Sequence, residues 1–408
     1  MFEADSVWRF TAADSIAFGK GAADELGDHL LERDVETALV VCDPGIADAG
    51  IVEDITAGDA VEYELFDRVE PEPPKSVFEE AVEYARDVDP DAIVGVGGGS
   101  SMDVAKTTGI VAAHGGEIMD YVAEPTGEGK PVPGPGIPTI AMPTTAGTGS
   151  ETTPVSVVSL PERDMKVGIS SVHQYPDLAI VDPLLTVSLP PGPTAASGID
   201  ALAHGIEAYV TRSFDAKERP DTPADRPDYG GRTILTDQLA RTAIELVGNN
   251  LQSAVDNGED VEARRNMSLG SLLAGIAFSN AGLGATHAIA MAAGAEHHTP
   301  HGETVSAVLP AVMRHNAPSR PDRFEEIATV LGVDTAGLDQ REAAEAAATA
   351  VEELADDVGL PDGLSDFGLE EEDVDHLADR TMDLQRLLVG NPRRVTREDV
   401  VSMCRESL

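Results

Sequence analysis

The first half of the chain alternates short apolar runs with longer amphipathic stretches. The apolar runs predict buried strands in the segments TALVVCD, VEYELF, DAIVGVGGG, IPTIAMP and LAIVD. Between them, KSVFEEAVEYARDV repeats apolar residues at helical spacing, which places Val77, Ala81, Val82, Ala85 and Val88 on one face. Strands that alternate with helices predict a largely parallel sheet covered by helices.

The pattern changes at LPPGPTAASG, a stretch rich in proline and glycine that is typical of a domain boundary. Beyond it, segments such as RTILTDQLARTAIELVGNNLQSAV and REAAEAAATAVEELADDV have only helical periodicity. We therefore expect an N-terminal α/β domain at residues 1–189 and an all-α C-terminal domain at residues 190–408. Within the second, the polar segment Asp215–Arg232 predicts a surface loop.

Length and charge narrow the classes of protein. A chain of 408 residues favours two domains. The formal net charge is −45, from 73 acidic and 28 basic residues, which disfavours a nucleic-acid partner and predicts an acidic surface adapted to high salt. The chain has no run of about 18 apolar residues, so no membrane span is predicted. The N-terminus does not resemble a signal peptide and the two cysteines lie far apart, so a cytoplasmic protein is expected.

One glycine-rich segment suits a phosphate group. GVGGGSSMDVAK follows a predicted strand and opens a predicted helix, and Gly97, Gly98 and Gly99 would let a phosphate approach the backbone. Ser100 is expected to cap that helix. The small, hydroxyl-rich segment PTTAGTGSETT follows another strand, and two such loops suit a dinucleotide crevice. On spacing alone, a tight structural turn explains the glycines equally well.

Asp43 ends the predicted strand TALVVCD. A carboxylate there would accept hydrogen bonds from a ribose and repel a 2′-phosphate, which favours NAD over NADP. A loop aspartate or a helix cap is the alternative interpretation.

Two segments indicate a metal ion. In GIDALAHGIEA, Asp200 and His204 are four residues apart and would share one helix face. His287 and His301, from GATHAIAMAAGAEHHTPHGE, would complete one oxygen and three nitrogen donors, a set that suits iron, zinc or another first-row divalent ion. An ordinary buried side chain is the alternative interpretation of each residue alone, and His297 and His298 are alternative ligands.

Together, GGGSSMDVAK, PTTAGTGSETT, GIDALAHGIEAY and TPHGETVSAVLP resemble the iron-containing (group III) alcohol dehydrogenase family over nearly the whole chain. The resemblance implies an enzyme that transfers a hydride between an alcohol, aldehyde or hydroxyacid and NAD(P), often as a homodimer or larger homo-oligomer, with iron the first metal to expect and zinc the alternative. It places the metal between two domains. It also implies metal ligands at Asp200, His204, His287 and His301, a pyrophosphate turn at Gly97, Gly98, Gly99 and Ser100 followed by Asp103, and cofactor contacts at Thr144, Thr145 and Lys166.

Three further segments, VEPEPPKSVFEEAVEYAR, DYVAEPTGEGKPVP and RPDYGGRTILTD, resemble the hydroxyacid–oxoacid transhydrogenase branch of that family. That branch passes a hydride between a hydroxyacid such as 4-hydroxybutyrate and an oxoacid such as 2-oxoglutarate through bound nicotinamide. Glycerol-type dehydrogenases and sugar-phosphate cyclases of similar architecture are alternatives. The scarcity of Lys and Arg around the metal motifs disfavours a cyclase. A metal- and NAD-binding protein without turnover is the non-enzymatic alternative.

The chain departs from the family pattern at two positions. Many members carry a second histidine, implicated in proton relay, where this chain has Met291, so His297 or His298 is the alternative relay on the chain. Glu72 stands where the family often has Asn in a Pro-Asn-Pro turn.

Overall fold

A computed structural model describes residues 7–58, 60–163, 165–217, 220–223, 226–227 and 229–408. The chain divides into two compact units. One is Ala12–Leu189, and the other is Pro190–Leu408 together with the N-terminal segment that ends at Thr11. The sequence placed that segment with the α/β domain. It groups with the helical unit because the Asn280 amide donates to the Thr11 carbonyl at 2.7 Å and accepts from its N–H at 2.8 Å.

The first unit is built on a six-stranded parallel sheet in the order β1-β8-β5-β4-β2-β3, with β6 and β7 as a separate antiparallel pair. The strands are β1 Ser15–Phe18, β2 Thr37–Val41, β3 Glu62–Phe66, β4 Ala92–Gly97, β5 Thr139–Pro143, β6 Val155–Leu160, β7 Met165–Ser170 and β8 Leu178–Val181. Its helices are α1 Leu26–Leu31, α2 Pro44–Asp48, α3 Ile51–Ile55, α4 Lys75–Val88, α5 Gly99–His114 and α6 Ile118–Tyr121.

Both faces of the inner strands of this sheet are buried, as their continuous apolar sequences require. On β2, Leu39 and Val41 belong to one core cluster and Ala38 and Val40 to another, so successive side chains enter opposite layers. The predicted parallel sheet is therefore confirmed. The strand β1 and the β6–β7 pair are additions that the sequence pattern did not predict.

The second unit is helical, as predicted. Its helices are α7 Pro191–Val210, α8 Ile234–Gly248, α9 Leu251–Asp256, α10 Val261–Ala281, α11 Ala285–His297, α12 His301–Asn316, α13 Pro321–Val330, α14 Gln340–Asp357, α15 Val374–Asp383, α16 Gln385–Leu388 and α17 Arg397–Glu406. The helix α7 packs against α8, α10 and α12, and every residue from Gly198 to Val210 is buried. A helix that is covered on all sides can hold polar side chains at fixed positions in the interior.

The predicted loop Asp215–Arg232 is only partly described, because residues 218–219, 224–225 and 228 lie outside the described residues. A parallel β-bridge between Arg232 and Ser213 anchors the C-terminal end of this segment. No single helix in the described ranges has the length and apolar character to cross a membrane; α10 and α11 pass jointly on length and composition alone, with a bend of 98° between them.

Candidate functional site

Asp200 is the centre of a buried polar cluster in the helical unit. Its Oδ1 lies 3.3 Å from His287 Nε2, 3.6 Å from His301 Nε2 and 3.8 Å from His204 Nε2. Asp200, His204 and His287 are all at least 95% buried, and their ligand atoms lie within 4.8 Å of one another. Three imidazole nitrogens therefore face one carboxylate oxygen, and the four residues that the sequence singled out do come together.

Three helices supply these side chains. Asp200 and His204 lie one turn apart on α7, His287 is in the first turn of α11, and His301 begins α12. The His204 ring stacks on the His287 ring, with 4.5 Å between centroids, and on Phe278 of α10, with 4.3 Å between centroids. This stacking fixes the plane of the His204 imidazole.

Sequence reasoning missed Glu207, a buried carboxylate on α7 that contacts His287. Glu207 Oε2 lies 2.6 Å from His287 Nδ1 and accepts from the Gly284 N–H at 3.0 Å, while Oε1 accepts from the Thr286 N–H at 2.8 Å. The signal was present, since Glu207 follows His204 by three residues, but a glutamate at that spacing is common on any helix.

Two buried carboxylates, Asp200 and Glu207, determine the electrostatics of the cluster. Burial opposes ionisation of Asp200, but attraction to His204 and the hydrogen bond from His287 hold the pKa of Asp200 well below its usual range. Burial alone would lower the pKa of His287, but hydrogen bonds to Asp200 and Glu207 raise it to about 9. Two carboxylates buried beside imidazoles form a pocket that a divalent cation would neutralise. One oxygen and several nitrogen donors also match first-row metals.

In the α/β unit, three predicted residues follow three neighbouring strands. Asp43 comes just after β2, Gly98 just after β4 and Thr144 just after β5, and these strands are adjacent in the sheet. Carboxyl ends of parallel strands meet at one edge, which is where open α/β sheets bind ligands.

Gly97 and Gly98, at the turn after β4, differ in whether the fold requires glycine. Gly97 has φ of 143°, and a Cβ there would lie 2.6 Å from Ser101 Oγ, so the chain itself requires glycine. Gly98 has an ordinary φ of −74°, and the nearest neighbour of a Cβ would be Thr145 Cγ2 at 3.7 Å. The fold does not need glycine at position 98, whereas a ligand that approaches the backbone would.

The start of α5 corrects one prediction. Gly98, not Ser100, precedes the first helical residue, and no side chain caps the helix, because the extended backbone of Gly98 starts α5 two residues earlier than expected. Two hydroxyls at this turn, Ser101 Oγ and Thr145 Oγ1, are buried without a hydrogen-bond partner within the described chain. Uncapped helix amides and unpaired hydroxyls suit an anion.

Asp103 is engaged by the chain itself. Its Oδ1 accepts from Ser150 Oγ at 2.6 Å and lies 3.0 Å from Lys106 Nζ, and its Oδ2 accepts from the Val157 N–H at 2.8 Å. The fully buried Lys106 also donates to the Val155 carbonyl at 2.7 Å. Asp103 thus ties α5 to the hydroxyl-rich loop and to β6.

The two carboxylate oxygens of Asp43 have different surroundings. Its Oδ1 caps α2 by accepting from the N–H groups of Gly45 at 2.9 Å and Ile46 at 3.2 Å. Its Oδ2 lies 3.4 Å from the position a Cβ would take at Gly97. One oxygen therefore serves the fold, and the other faces the glycine turn.

Lys166, on β7, is paired with Glu72. The Lys166 Nζ lies 2.5 Å from Glu72 Oε1. Glu72 has φ of 52°, a left-handed conformation that asparagine adopts more readily than glutamate. The Lys166 charge is therefore balanced by Glu72, the residue at which the chain departs from the family pattern.

The two proposed relay residues lie at the end of α11. His297 is half-buried, whereas His298 is exposed and ends the helix with φ of 53°. The contacts that build the Asp200 cluster come from other residues. A relay role for either histidine stays a prediction.

The chain matches known proteins over nearly its whole length. Residues 13–183 match the model "Iron-containing alcohol dehydrogenase", and residues 231–408 match "Fe-containing alcohol dehydrogenase family, C-terminal". It is 36% identical over 393 residues to the NAD-dependent methanol dehydrogenase of Bacillus methanolicus, covering 96% of this chain and 97% of that one. It is 33% identical over 415 residues to the mitochondrial hydroxyacid–oxoacid transhydrogenase of Rattus norvegicus, covering 97% and 89%.

Among solved structures, a 1,3-propanediol oxidoreductase superposes with a TM-score of 0.89 at 33% identity, covering 98% of this chain and 100% of that one. These matches confirm the resemblance found in the sequence, and transhydrogenases are among the relatives. The chain is an enzyme, an oxidoreductase, and it belongs to the iron-containing alcohol dehydrogenase family.

Proposed function

We propose that this enzyme interconverts alcohols and carbonyl compounds with NAD, at a centre where Asp200, His204, His287 and His301 hold one divalent cation. The observation that carries the proposal is the approach of three Nε2 atoms to within 3.8 Å of Asp200 Oδ1. Iron is our first assignment and zinc the alternative, because the donor set suits both.

A divalent cation bound there would polarise the oxygen of an alcohol or carbonyl substrate. The chain itself supplies orientation. Asp200 and His204 are fixed by the buried helix α7, and the stacked His204 and His287 rings keep their nitrogens directed at the carboxylate. Burial also strengthens every charge interaction in the cluster.

We propose that the pyrophosphate of NAD binds at the turn Gly97–Ser100, beside Thr144 and Thr145. The unpaired hydroxyls of Ser101 and Thr145 and the open space at Gly98 support this assignment. The network around Asp103 positions the second loop, and Asp43 Oδ2 disfavours the additional phosphate of NADP.

The nature of the hydride acceptor separates two candidate reactions. A dehydrogenase consumes NAD stoichiometrically and releases NADH. A transhydrogenase, which the relative from Rattus norvegicus favours, reduces an oxoacid at the expense of a hydroxyacid with no net release of NADH. We propose the dehydrogenase reaction first. Assays with simple alcohols plus NAD, and with 4-hydroxybutyrate plus 2-oxoglutarate and catalytic NAD, distinguish the two.

The metal centre is tested by His287→Ala beside a matched control, His114→Ala. His114 Nε2 lies 2.9 Å from the Gly134 carbonyl, so its contact is within the α/β unit, whereas the cluster belongs to the helical unit. His287→Ala should lose metal and turnover while it stays folded, and His114→Ala should keep both. Full turnover by a metal-free His287→Ala enzyme would refute the proposal.

We further propose that the enzyme is adapted to a salt-rich cytoplasm. With 73 acidic and 28 basic residues, self-repulsion destabilises the fold in dilute buffer, and salt screens that repulsion. The two buried free cysteines, Cys42 and Cys404, suit a reducing compartment. The melting temperature should rise steadily with KCl concentration above about 0.1 M. A melting temperature that falls with KCl would contradict the proposal.

A further inference from the structure

The Glu207 carboxylate determines which nitrogen of His287 is available to a ligand. A neutral imidazole carries one proton, and the nitrogen without it is the acceptor. His287 Nδ1 lies 2.6 Å from Glu207 Oε2, and Nε2 faces Asp200 Oδ1 at 3.3 Å. When a cation binds, His287 must be neutral. An Nδ1–H group that donates a hydrogen bond to Glu207 then leaves the Nε2 lone pair available to the cation.

Glu207 is itself held rigidly. It is 4% exposed, and its two oxygens accept the backbone N–H groups of Gly284 and Thr286 at 3.0 and 2.8 Å. It also lies on the same face of α7 as Asp200 and His204, seven and three residues further along. One buried helix therefore positions two donors directly and a third through a hydrogen bond.

We propose, on the basis of the proposed metal centre, that Glu207 is a positioning residue that keeps His287 protonated on Nδ1 and so raises the affinity for a divalent cation. Carboxylates that bind the outer nitrogen of a ligand histidine orient the ring and increase its basicity. The glutamate at position 207 thus has a role that its helix-capping contacts alone do not require.

A purely structural role is the competing explanation, because Glu207 also caps α11. The structure provides a matched control for that role. Asn391 Oδ1 accepts the intervening Ala285 N–H at 3.2 Å, so Asn391 caps the same helix end. Of these two capping residues, Glu207 is the one that contacts the His287 ring. The variants Glu207→Gln and Asn391→Ala separate capping from orientation.

The experiment measures Co²⁺ affinity by chelator competition and the visible absorption of the Co²⁺-loaded protein. In Glu207→Gln, the amide can donate to Nδ1, which favours the proton on Nε2. We expect affinity to fall about 10- to 100-fold with a changed spectrum. Asn391→Ala should lower the melting temperature but leave affinity and spectrum unchanged. Wild-type affinity and spectrum in Glu207→Gln, or an equal loss in Asn391→Ala, would overturn the positioning role.

Failure of the metal centre itself gives a different result, since wild type would then bind no Co²⁺. Should Glu207→Gln not fold, ¹⁵N NMR of histidine-labelled, Zn²⁺-loaded wild type gives the answer. The proposal requires a hydrogen-bonded proton on His287 Nδ1 and the metal on Nε2. The reverse arrangement would overturn it.

Discussion

Gly98→Ala should weaken NAD binding without harming the fold. The added Cβ would lie 3.7 Å from Thr145 Cγ2, an ordinary contact, and φ of −74° suits alanine. Reduced freedom of the unfolded chain should stabilise the protein by about 0.4–1 kcal/mol. The methyl group would occupy the space proposed for the pyrophosphate and cost at least one charge-assisted hydrogen bond, worth about 1.5–3 kcal/mol. At about 1.4 kcal/mol per decade, the Kd should rise ~10- to 150-fold.

The dissociation constant is measured by NADH fluorescence titration, and stability by thermal melting of the same samples. Gly134→Ala is the matched control, because it lies in the same unit, has no neighbour within 4 Å and does not adopt a positive φ. It should leave NADH affinity unchanged. Unaltered affinity in Gly98→Ala would refute the phosphate assignment. A large loss of stability would instead show that the fold needs glycine there.

Three other substitutions give separate outcomes. Asp43→Ala should raise kcat/KM for NADP relative to NAD by about tenfold, the effect of ~1.4 kcal/mol, and an unchanged ratio would argue against ribose recognition. In Gly302→Ala a Cβ would lie 2.2 Å from the Ala196 carbonyl oxygen, so α12 must shift. Turnover should therefore fall about 100-fold. The control Gly192→Ala, where no neighbour lies within 4 Å, should keep its turnover. Burial raises the pKa of Glu151 from 4.5 to about 7, so folding binds a proton and wild-type stability falls as pH rises between these values. Glu151→Gln should therefore be more stable than wild type at pH 8 by up to about 3 kcal/mol, and this advantage should shrink toward pH 4.5. Urea unfolding at both pH values measures the difference in free energy of unfolding between the two proteins. An equal difference at both pH values would contradict the prediction.

The Asp200 cluster could be predicted in part because helical periodicity converts spacing into geometry. Asp200 and His204 needed only one helix to share a face. His287 and His301 lie at the starts of two other helices, and only their resemblance to a known motif, not periodicity, selected them. Glu207 escaped prediction because its backbone partners, Gly284 and Thr286, are 77 and 79 residues away.

The α/β unit shows the same limit. Short apolar runs predicted five strands of the sheet, whereas β6 is interrupted by two serines and β7 alternates polar and apolar residues, each over only six positions. Ser100 had the side chain of a cap, but the backbone of Gly98 determined where α5 begins. Local composition therefore predicted a phosphate turn here without fixing the residue at which α5 begins.

Anomalous X-ray scattering from crystals of the zinc- or iron-loaded enzyme tests the metal centre most directly. A single peak should lie about 2.0–2.2 Å from Asp200 Oδ1 and from the Nε2 atoms of His204, His287 and His301. A peak elsewhere in the molecule, or a fully active crystal with no peak among these four residues, would contradict the proposed chemistry.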